Sequence, residues 1–197
     1  MRCGSALYDD EAFPEKRVLL LLFVGLLILL FARSEWMGRW MYPIQYIDDI
    51  KASSLNYEVD PYLVAAIIRA ESNFETGRES RKGALGIMQI MPDTADWIVS
   101  RANFTNVTLD DVHHRADVSI QMGTWYIKSL EKQFQDKRPL VIAAYNAGPG
   151  KVNRWLKEEV WDGELDTVNH IPYGETRRYV QKVIYYYNKY KELYPVL

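Results

Sequence analysis

Cysteine and histidine are almost missing from this sequence of 197 residues. The single cysteine, Cys3, excludes an internal disulfide and any zinc site built on several thiolates. The three histidines are His113, His114 and His170, and no two of them have the H-x-x-x-H spacing of a zinc-binding helix. We therefore expect no metal site in this protein.

An excess of positive charge is missing as well. The formal net charge is -2, so bulk electrostatic attraction does not favour nucleic acid. The sequence has no basic stripe and no phosphate-cradling loop of the type G-x-x-x-x-G-K-S/T. These absences argue against a nucleic-acid partner and give no reason to expect a cofactor.

Long apolar runs are absent except for one near the N-terminus, "VLLLLFVGLLILLFA" at residues 18–32. As a helix this run covers roughly 22 Å, which is less than the roughly 30 Å of a bilayer core. The flanking Lys16, Arg17 and Arg33 can reach the interface, and the bilayer can thin locally, so spanning is feasible. No A-x-A cleavage site follows the run, and we favour an uncleaved anchor over a removed signal peptide.

The anchor sets the predicted organisation of the chain. The pair Lys16-Arg17 favours a cytoplasmic N-terminus, although Arg33 and Arg39 weaken the bias. The globular part is then expected outside the cytoplasmic membrane, and Cys3 is too far upstream of the run for lipid attachment. The predicted segments are a short tail (1–17), a transmembrane signal-anchor (18–33), a linker (34–42) and one globular domain (43–197).

The globular domain is predicted to be all-α, because strand-like alternation is rare after Pro43. Asp60 before Pro61 is a strong start signal for a helix, with the aspartate as the N-cap. The stretch 75–86 is polar and contains glycine, which predicts a loop. The predicted helices cover 42–55, 60–74, 92–102, 116–134, "RPLVIAAYNAG", "KVNRWLKEE" and 173–193.

A carboxylate at the end of an apolar helix face raises the question of function. In "AAIIRAESNF" (65–74), Glu71 follows Val64 and Ile68 on one face of the predicted helix. Partial desolvation there would raise the pKa of the carboxyl toward neutrality, as a general acid requires. The other interpretation is that Glu71 is a solvated last-turn residue. The helix alone leaves both open.

Four motifs in a fixed order decide between these interpretations. After Glu71-Ser72 come "GALGIMQIMP" (83–92), "AAYNAG" (143–148) and "IPYGETRRYV" (171–180). This set resembles the catalytic domain of soluble lytic transglycosylases, which has a lysozyme-like fold. The resemblance covers about residues 44 to 190. It implies a lysozyme-like domain that acts on a peptidoglycan glycan strand, and the predicted transmembrane helix precedes this domain in the chain.

The resemblance also implies roles for individual residues. Glu71 would be the catalytic acid, with Ser80 in contact with the sugar beside it. Met88 and Gln89 would line the cleft, and Tyr145 would point at the reacting centre. Glu175 has two interpretations that stay open: a cleft residue near the sugar or its peptide, or an acid in the first turn of the last helix. For Met88, packing in the core is the alternative.

A single acid in a family motif has a mechanistic consequence. Hydrolytic glycosidases ordinarily use two carboxylates. One suffices if the C6 hydroxyl of muramic acid attacks its own C1, which gives a 1,6-anhydro product without water. Two alternatives remain: a hydrolytic muramidase like the goose-type lysozymes, and a wall-binding or assembly protein without turnover. Whether cleavage is endo or exo, and which biological role it has, does not follow from the sequence.

Overall fold

The computed structural model describes residues 13–32 and 35–197 of the chain. The described residues form ten α-helices and one short 3-10 turn, Val168–His170, and they contain two isolated β-bridges but no strand. The helices are α1 (Phe13–Ala32), α2 (Glu35–Met41), α3 (Ile47–Tyr57), α4 (Pro61–Glu71), α5 (Pro92–Arg101), α6 (Leu109–His114), α7 (Ala116–Phe134), α8 (Arg138–Ala147), α9 (Pro149–Lys157) and α10 (Gly174–Leu193). The chain divides into two compact units after Pro43.

The N-terminal unit contains α1 and α2. Helix α1 carries the apolar run, and its leucines are exposed. Across ranges 13–32 and 35–197, no helix is both long enough and apolar enough to cross a membrane. The transmembrane helix at 18–33 therefore stays a prediction. Helix α2 occupies most of the predicted linker 34–42, while Cys3 lies outside the described residues.

The second unit, Ile44–Leu197, is built around α4. Six consecutive residues of this helix are buried, from Leu63 to Ile68, because α10 packs along it and α3 and α7 contact its other sides. Helix α8 joins α7, α9 and α10 in the same core. A helix that is buried on nearly all sides carries apolar residues on every face. The sequence "LVAAII" therefore shows little amphipathic pattern.

Helix α4 begins where the sequence predicts. The Asp60 side chain accepts a hydrogen bond from the Tyr62 amide at 2.9 Å, and Pro61 occupies the first helical position. The other Asp60 oxygen accepts from the Tyr187 hydroxyl of α10 at 2.7 Å. The helix ends at Glu71 rather than near Phe74, because Asn73 and Phe74 have positive φ angles and turn the chain away.

Two other helix predictions were incomplete. Helix α3 starts at Ile47 instead of residue 42, since Tyr46 takes a left-handed conformation with φ 55° just before it. Helix α6 was missed, although Thr108 and Asp111 form a reciprocal capping box at its start. The T-x-x-D spacing was visible in the sequence, but six residues between two loops give too little periodicity to predict a helix.

A glycine-dependent loop, residues 72–90, joins α4 to α5 and passes beneath α6. Gly86 has φ 73°, and a Cβ atom there would lie 2.0 Å from the Val112 carbonyl oxygen. The buried Ser72 hydroxyl donates to the Ile87 carbonyl at 2.6 Å, which ties the two ends of the loop together. The loop therefore returns close to the end of α4 and brings Gln89 near Glu71.

Candidate active site

Glu71 is the last residue of α4, where the buried helix reaches the surface of the domain. The residue is partly exposed, and its Oε1 accepts a hydrogen bond of 2.7 Å from the buried Tyr179 hydroxyl. Lys182, also on α10, donates to the Ala70 carbonyl at 2.9 Å and lies beside the carboxyl group. Glu71 does not point into bulk water, so its interpretation as a solvated last-turn residue is wrong.

The protonation of Glu71 follows from these surroundings. Desolvation by burial raises the pKa of Glu71 from 4.5 to about 7. The Tyr179 hydrogen bond and the positive charges of Lys182 and Arg78 act in the opposite direction, and Glu175 adds a small raising effect. Desolvation is the largest of these effects, so this carboxyl carries a proton for much of the time near neutral pH.

A cleft of about 330 Å³ opens in front of Glu71. Loop 72–90, the end of α8 and the first turn of α10 supply its walls. The volume lies at the lower end of the range for ligand pockets. The lining residues are Glu71, Ser80, Arg81, Lys82, Ala84, Gln89, Met91, Tyr145, Asn146 and Glu175.

Tyr145 lines the cleft from α8 and is anchored on its far side. Its hydroxyl donates to the Met88 carbonyl at 3.0 Å, and its ring contacts Tyr126 with centroids 5.5 Å apart. Burial, and then the nearby charge of Glu71, hold the pKa of Tyr145 well above its usual range. This tyrosine therefore stays a neutral hydroxyl and cannot serve as a base near neutral pH.

The structure corrects the position predicted for Met88. Its side chain is fully buried and packs on Gly123, where an added Cβ atom would lie 2.3 Å from the methionine sulfur. The core alternative is therefore the right one for this side chain, and only its carbonyl contributes, by holding Tyr145. Met91, three residues later and 40% exposed, supplies the thioether that lines the cleft.

Ser80 and Gln89 both line the cleft, and each has one hydrogen-bonding group committed to the loop. The Ser80 Oγ accepts from the amides of Lys82 at 3.2 Å and Ala84 at 2.9 Å. The Gln89 amide nitrogen donates to the carbonyls of Gly86 at 2.8 Å and Arg78 at 3.0 Å. The Ser80 hydroxyl proton and the Gln89 amide oxygen have no partner among the described residues and are available to a ligand.

Glu175 combines both interpretations made from the sequence. It lies in the first turn of α10 and also on the rim of the cleft. Its Oε2 is 3.1 Å from the Lys82 ammonium group, so the pair bridges the rim between loop 72–90 and α10. Both side chains are largely exposed, and such pairs contribute only about 0 to 1 kcal/mol. A ligand can therefore separate them at small cost.

Three residues at or near the site were not singled out from the sequence. Tyr179 is part of the quoted motif "IPYGETRRYV", and its spacing to Val183 and Tyr187 places all three on the buried face of α10. Met91 is part of the quoted motif "GALGIMQIMP", but no role was predicted for it. Asn146 accepts a 2.8 Å hydrogen bond from the Thr176 hydroxyl and lines the cleft.

The described parts of the chain contain no evident metal-binding site. Within residues 13–32 and 35–197, no group of three or more His, Cys, Asp or Glu side chains could hold a metal ion. The expectation that no metal is bound stays a prediction.

The raised pKa of Glu71 predicts a cost to stability. Between pH 4.5 and about 7 the folded state keeps this proton while the unfolded state loses it, so the free energy of unfolding falls as pH rises. Glu71→Gln removes the effect and should be more stable than the wild type at pH 8, by up to about 3 kcal/mol, with little difference at pH 4.5.

Urea unfolding at both pH values measures this difference. Glu75→Gln is the matched control, since this neighbouring carboxylate is largely exposed. Equal stability of wild type and Glu71→Gln at pH 8 would contradict the desolvation of the Glu71 carboxyl.

Comparison with known sequences agrees with this geometry. The soluble lytic murein transglycosylase of Escherichia coli (strain K12) is 35% identical over 148 residues, which is 74% of this chain and 23% of that protein. The membrane-bound lytic murein transglycosylase C of Edwardsiella ictaluri is 31% identical over 161 residues, covering 71% of this chain and 44% of that protein. The chain thus spans less than half the length of these two relatives.

Solved structures have the same fold. The 70 kDa soluble lytic transglycosylase SLT70 of Escherichia coli superposes with a TM-score of 0.74 at 32% identity, over 79% of this chain and 25% of that one. An inactive mutant of the lytic transglycosylase Slt from Pseudomonas aeruginosa gives a TM-score of 0.70 at 32% identity, over 77% of this chain and 24% of that one. The domain is therefore lysozyme-like, as predicted. Because the family profile described as "Transglycosylase SLT domain" also matches residues 48–166, this chain belongs to the SLT-domain transglycosylase family.

Proposed function

We propose that this protein is a peptidoglycan lytic transglycosylase. It cleaves the β-1,4 bond between N-acetylmuramic acid and N-acetylglucosamine without water and leaves 1,6-anhydromuramic acid ends. The observation that carries the proposal is the desolvated Glu71 carboxyl, with a pKa of about 7, at the wall of a cleft lined by polar groups. Family membership supports the same chemistry.

In the first step, Glu71 acts as the acid. Its carboxylic proton moves to the oxygen of the glycosidic bond, the bond between that oxygen and C1 breaks, and the N-acetylglucosamine unit leaves with a new hydroxyl group. Positive charge then develops at C1 and the ring oxygen of the muramic acid. The acetamide of the same sugar can share this charge. Glu71, now ionised, is stabilised by the Tyr179 hydroxyl and by Lys182.

In the second step, Glu71 acts as the base. It takes the proton of the C6 hydroxyl while the C6 oxygen bonds to C1 and closes the anhydro ring, so that Glu71 regains its proton and the cycle is balanced. A pKa near the working pH suits a group that must both give and accept a proton. The attack is intramolecular, so the cleft has to order the sugar more than it has to activate a nucleophile.

The cleft residues supply this ordering in the proposal. The free Ser80 hydroxyl proton and the Gln89 amide oxygen would hold the polar substituents of the sugar. Met91 would take the contact with the apolar face of the ring that the sequence assigned to Met88. Tyr145 would contact the reacting unit with its ring, and Glu175 would face the sugar or its peptide once released from Lys82.

Hydrolysis is the second candidate, because Glu175 is another carboxylate on the cleft lining. In that case it would activate a water molecule while Glu71 acts only as the acid. Its exposed position and its ion pair with Lys82 favour a role in binding instead. The products distinguish the two reactions, since hydrolysis leaves a free reducing muramic acid.

Replacing the acid tests the proposed function directly. Glu71→Gln should reduce the release of 1,6-anhydromuropeptides from purified sacculi by about 100-fold or more, because the amide has no proton to transfer. Glu75→Gln, an exposed position in loop 72–90, should release them at the wild-type rate. Mass spectrometry of the soluble products gives both the rate and the chemistry of the ends. Full activity of Glu71→Gln, or wild-type products with free reducing ends, would refute the proposal.

Removal of the hydrogen bond to the acid predicts a shift in pH dependence. The Tyr179 hydroxyl stabilises the ionised carboxylate and lowers the pKa of Glu71, so Tyr179→Phe raises that pKa. Because the first step needs the protonated acid, kcat/KM declines above about pH 7 in the wild type. In Tyr179→Phe the decline should begin at higher pH.

A pH profile of kcat/KM on a soluble glycan fragment measures this. Tyr185→Phe, an exposed tyrosine of the same helix, should keep the wild-type profile. An unchanged profile for Tyr179→Phe would show that this tyrosine does not influence the pKa of Glu71.

We also propose that residues 18–33 anchor the domain to the outer face of the cytoplasmic membrane, on the strength of the apolar run and its flanking cations. Full-length protein should then stay with the membrane fraction during alkaline carbonate extraction, while residues 34–197 alone should be found in the supernatant. Full-length protein in the supernatant would overturn the anchor but not the proposed reaction.

A further inference from the structure

A continuous row of aromatic rings leads away from the cleft. Tyr145 contacts Tyr126 with ring centroids 5.5 Å apart, Tyr126 contacts Trp97 at 6.0 Å, and Trp97 contacts Trp125 at 5.6 Å. All four rings are at least partly exposed. We call these residues the aromatic row. It runs from α8 across α7 to α5 and returns to α7, so it crosses the surface of three helices.

The concave surface follows the aromatic row. A second cavity of about 200 Å³ shares Gln89, Met91, Tyr145 and Asn146 with the cleft. A third cavity of about 320 Å³ shares Thr94 and Tyr126 with the second, and Trp97 is among its lining residues. The shared lining residues show that the three cavities are neighbours along the surface between Glu71 and Trp97.

Beyond Trp97, its neighbour Trp125 lines a separate and larger cavity of about 550 Å³. It lies where the C-terminal ends of α3 and α5 meet α7, and the proposed reaction does not use it. We call it the Arg101 pocket. Its lining residues are Tyr57, Arg101, Ala102, Asn103, Phe104, Thr105, Val107, Gln121 and Trp125.

The polar groups of the Arg101 pocket suit an anionic saccharide. Arg101 is exposed, and its guanidinium group forms no hydrogen bond or ion pair with any other described residue. Its planar guanidinium group can bind a carboxylate through two parallel hydrogen bonds. Asn103, Thr105 and Gln121 add amide and hydroxyl groups, and Trp125 adds a flat apolar wall. The pocket combines an aromatic wall, planar polar groups and one cation. An acidic amino sugar carries the complementary groups, which are an apolar ring face, an amide with hydroxyls, and a carboxylate.

We propose that the Arg101 pocket is a second saccharide-binding site, which holds a carboxylate-bearing unit of the same glycan strand that the cleft cuts. The aromatic row guides the strand between the two sites, because a sugar ring can rest on any exposed aromatic face along it. The inference rests on the proposed function for the identity of the strand. The pocket would bind the polymer away from the cleaved bond and would take no part in the reaction.

Binding to uncut polymer tests the pocket separately from catalysis. In the full-length chain with Glu71→Gln, which cannot cut, Arg101→Gln should weaken binding to long, soluble, peptide-free glycan strands, in which the lactyl carboxylate of muramic acid is free, about fivefold. Arg154→Gln is the matched control: it removes the same charge from an exposed position on α9 that lines none of these cavities. Added salt should reduce the difference, since the contact is an ion pair.

The kinetics of the active protein provide a second readout. With wild-type Glu71, Arg101→Gln should raise KM for long strands about fivefold and leave kcat unchanged. It should leave both constants unchanged for a disaccharide that contains only the cleaved bond and occupies only the cleft. Melting temperatures equal to that of the wild type would show that neither Arg101→Gln nor Arg154→Gln changes binding by destabilising the fold.

Two results would overturn the inference. One is equal binding of long strands by the Arg101→Gln and Arg154→Gln variants. The other is an equal rise in KM for the long strand and the disaccharide. Failure of the proposed function would look different: wild-type protein would then yield no anhydro ends from either substrate, although the strand-binding assay would still report on the pocket.

Discussion

The candidate site depends on one physical constraint, the desolvation of the Glu71 carboxyl group. Burial raises the pKa of Glu71 from 4.5 to about 7, and the Tyr179 hydroxyl and nearby cations prevent it from rising further. A fully solvated glutamate would be ionised at neutral pH and could not act as an acid. One buried without a partner would hold its proton too tightly to act as a base afterwards. The pKa of Glu71 lies between these two extremes.

The fold holds the carboxyl group there by clamping α4 at both ends against α10. At the N-terminal end, Tyr187 donates to the Asp60 cap at 2.7 Å, and at the C-terminal end Tyr179 donates to Glu71 at the same distance. Lys182, between the two tyrosines, donates to the Ala70 carbonyl. The same helix pair therefore buries the core, caps α4 and positions the acid. Stability and reactivity are coupled through these contacts.

Loop 72–90 provides the opposite wall of the cleft and depends on close packing rather than on charge. Gly86 allows the loop to pass under α6 with no room for a side chain, and Gly123 leaves space for the buried Met88. The Met88 carbonyl then accepts from the Tyr145 hydroxyl, so the core position of this methionine holds a cleft tyrosine in place. Only the rim, where Lys82 pairs with Glu175, is held by a contact weak enough for a ligand to displace.

The sequence by itself determined the helical class, the start of α4 at Asp60-Pro61, the course of α7 and α10, and the placement of Glu71 at the end of a buried face. These features follow from local rules of capping and periodicity. The family resemblance also pointed to Ser80, Gln89 and Tyr145, which line the cleft in the structure. Only the tertiary structure decided that Met91 rather than Met88 lines the cleft and that Tyr179 holds the acid. Periodicity carries no information in an irregular loop, and a contact between residues 108 positions apart depends on how α10 packs on α4. The aromatic row could not be inferred either, because Trp97, Trp125, Tyr126 and Tyr145 stand on three helices whose packing alone brings their rings into contact.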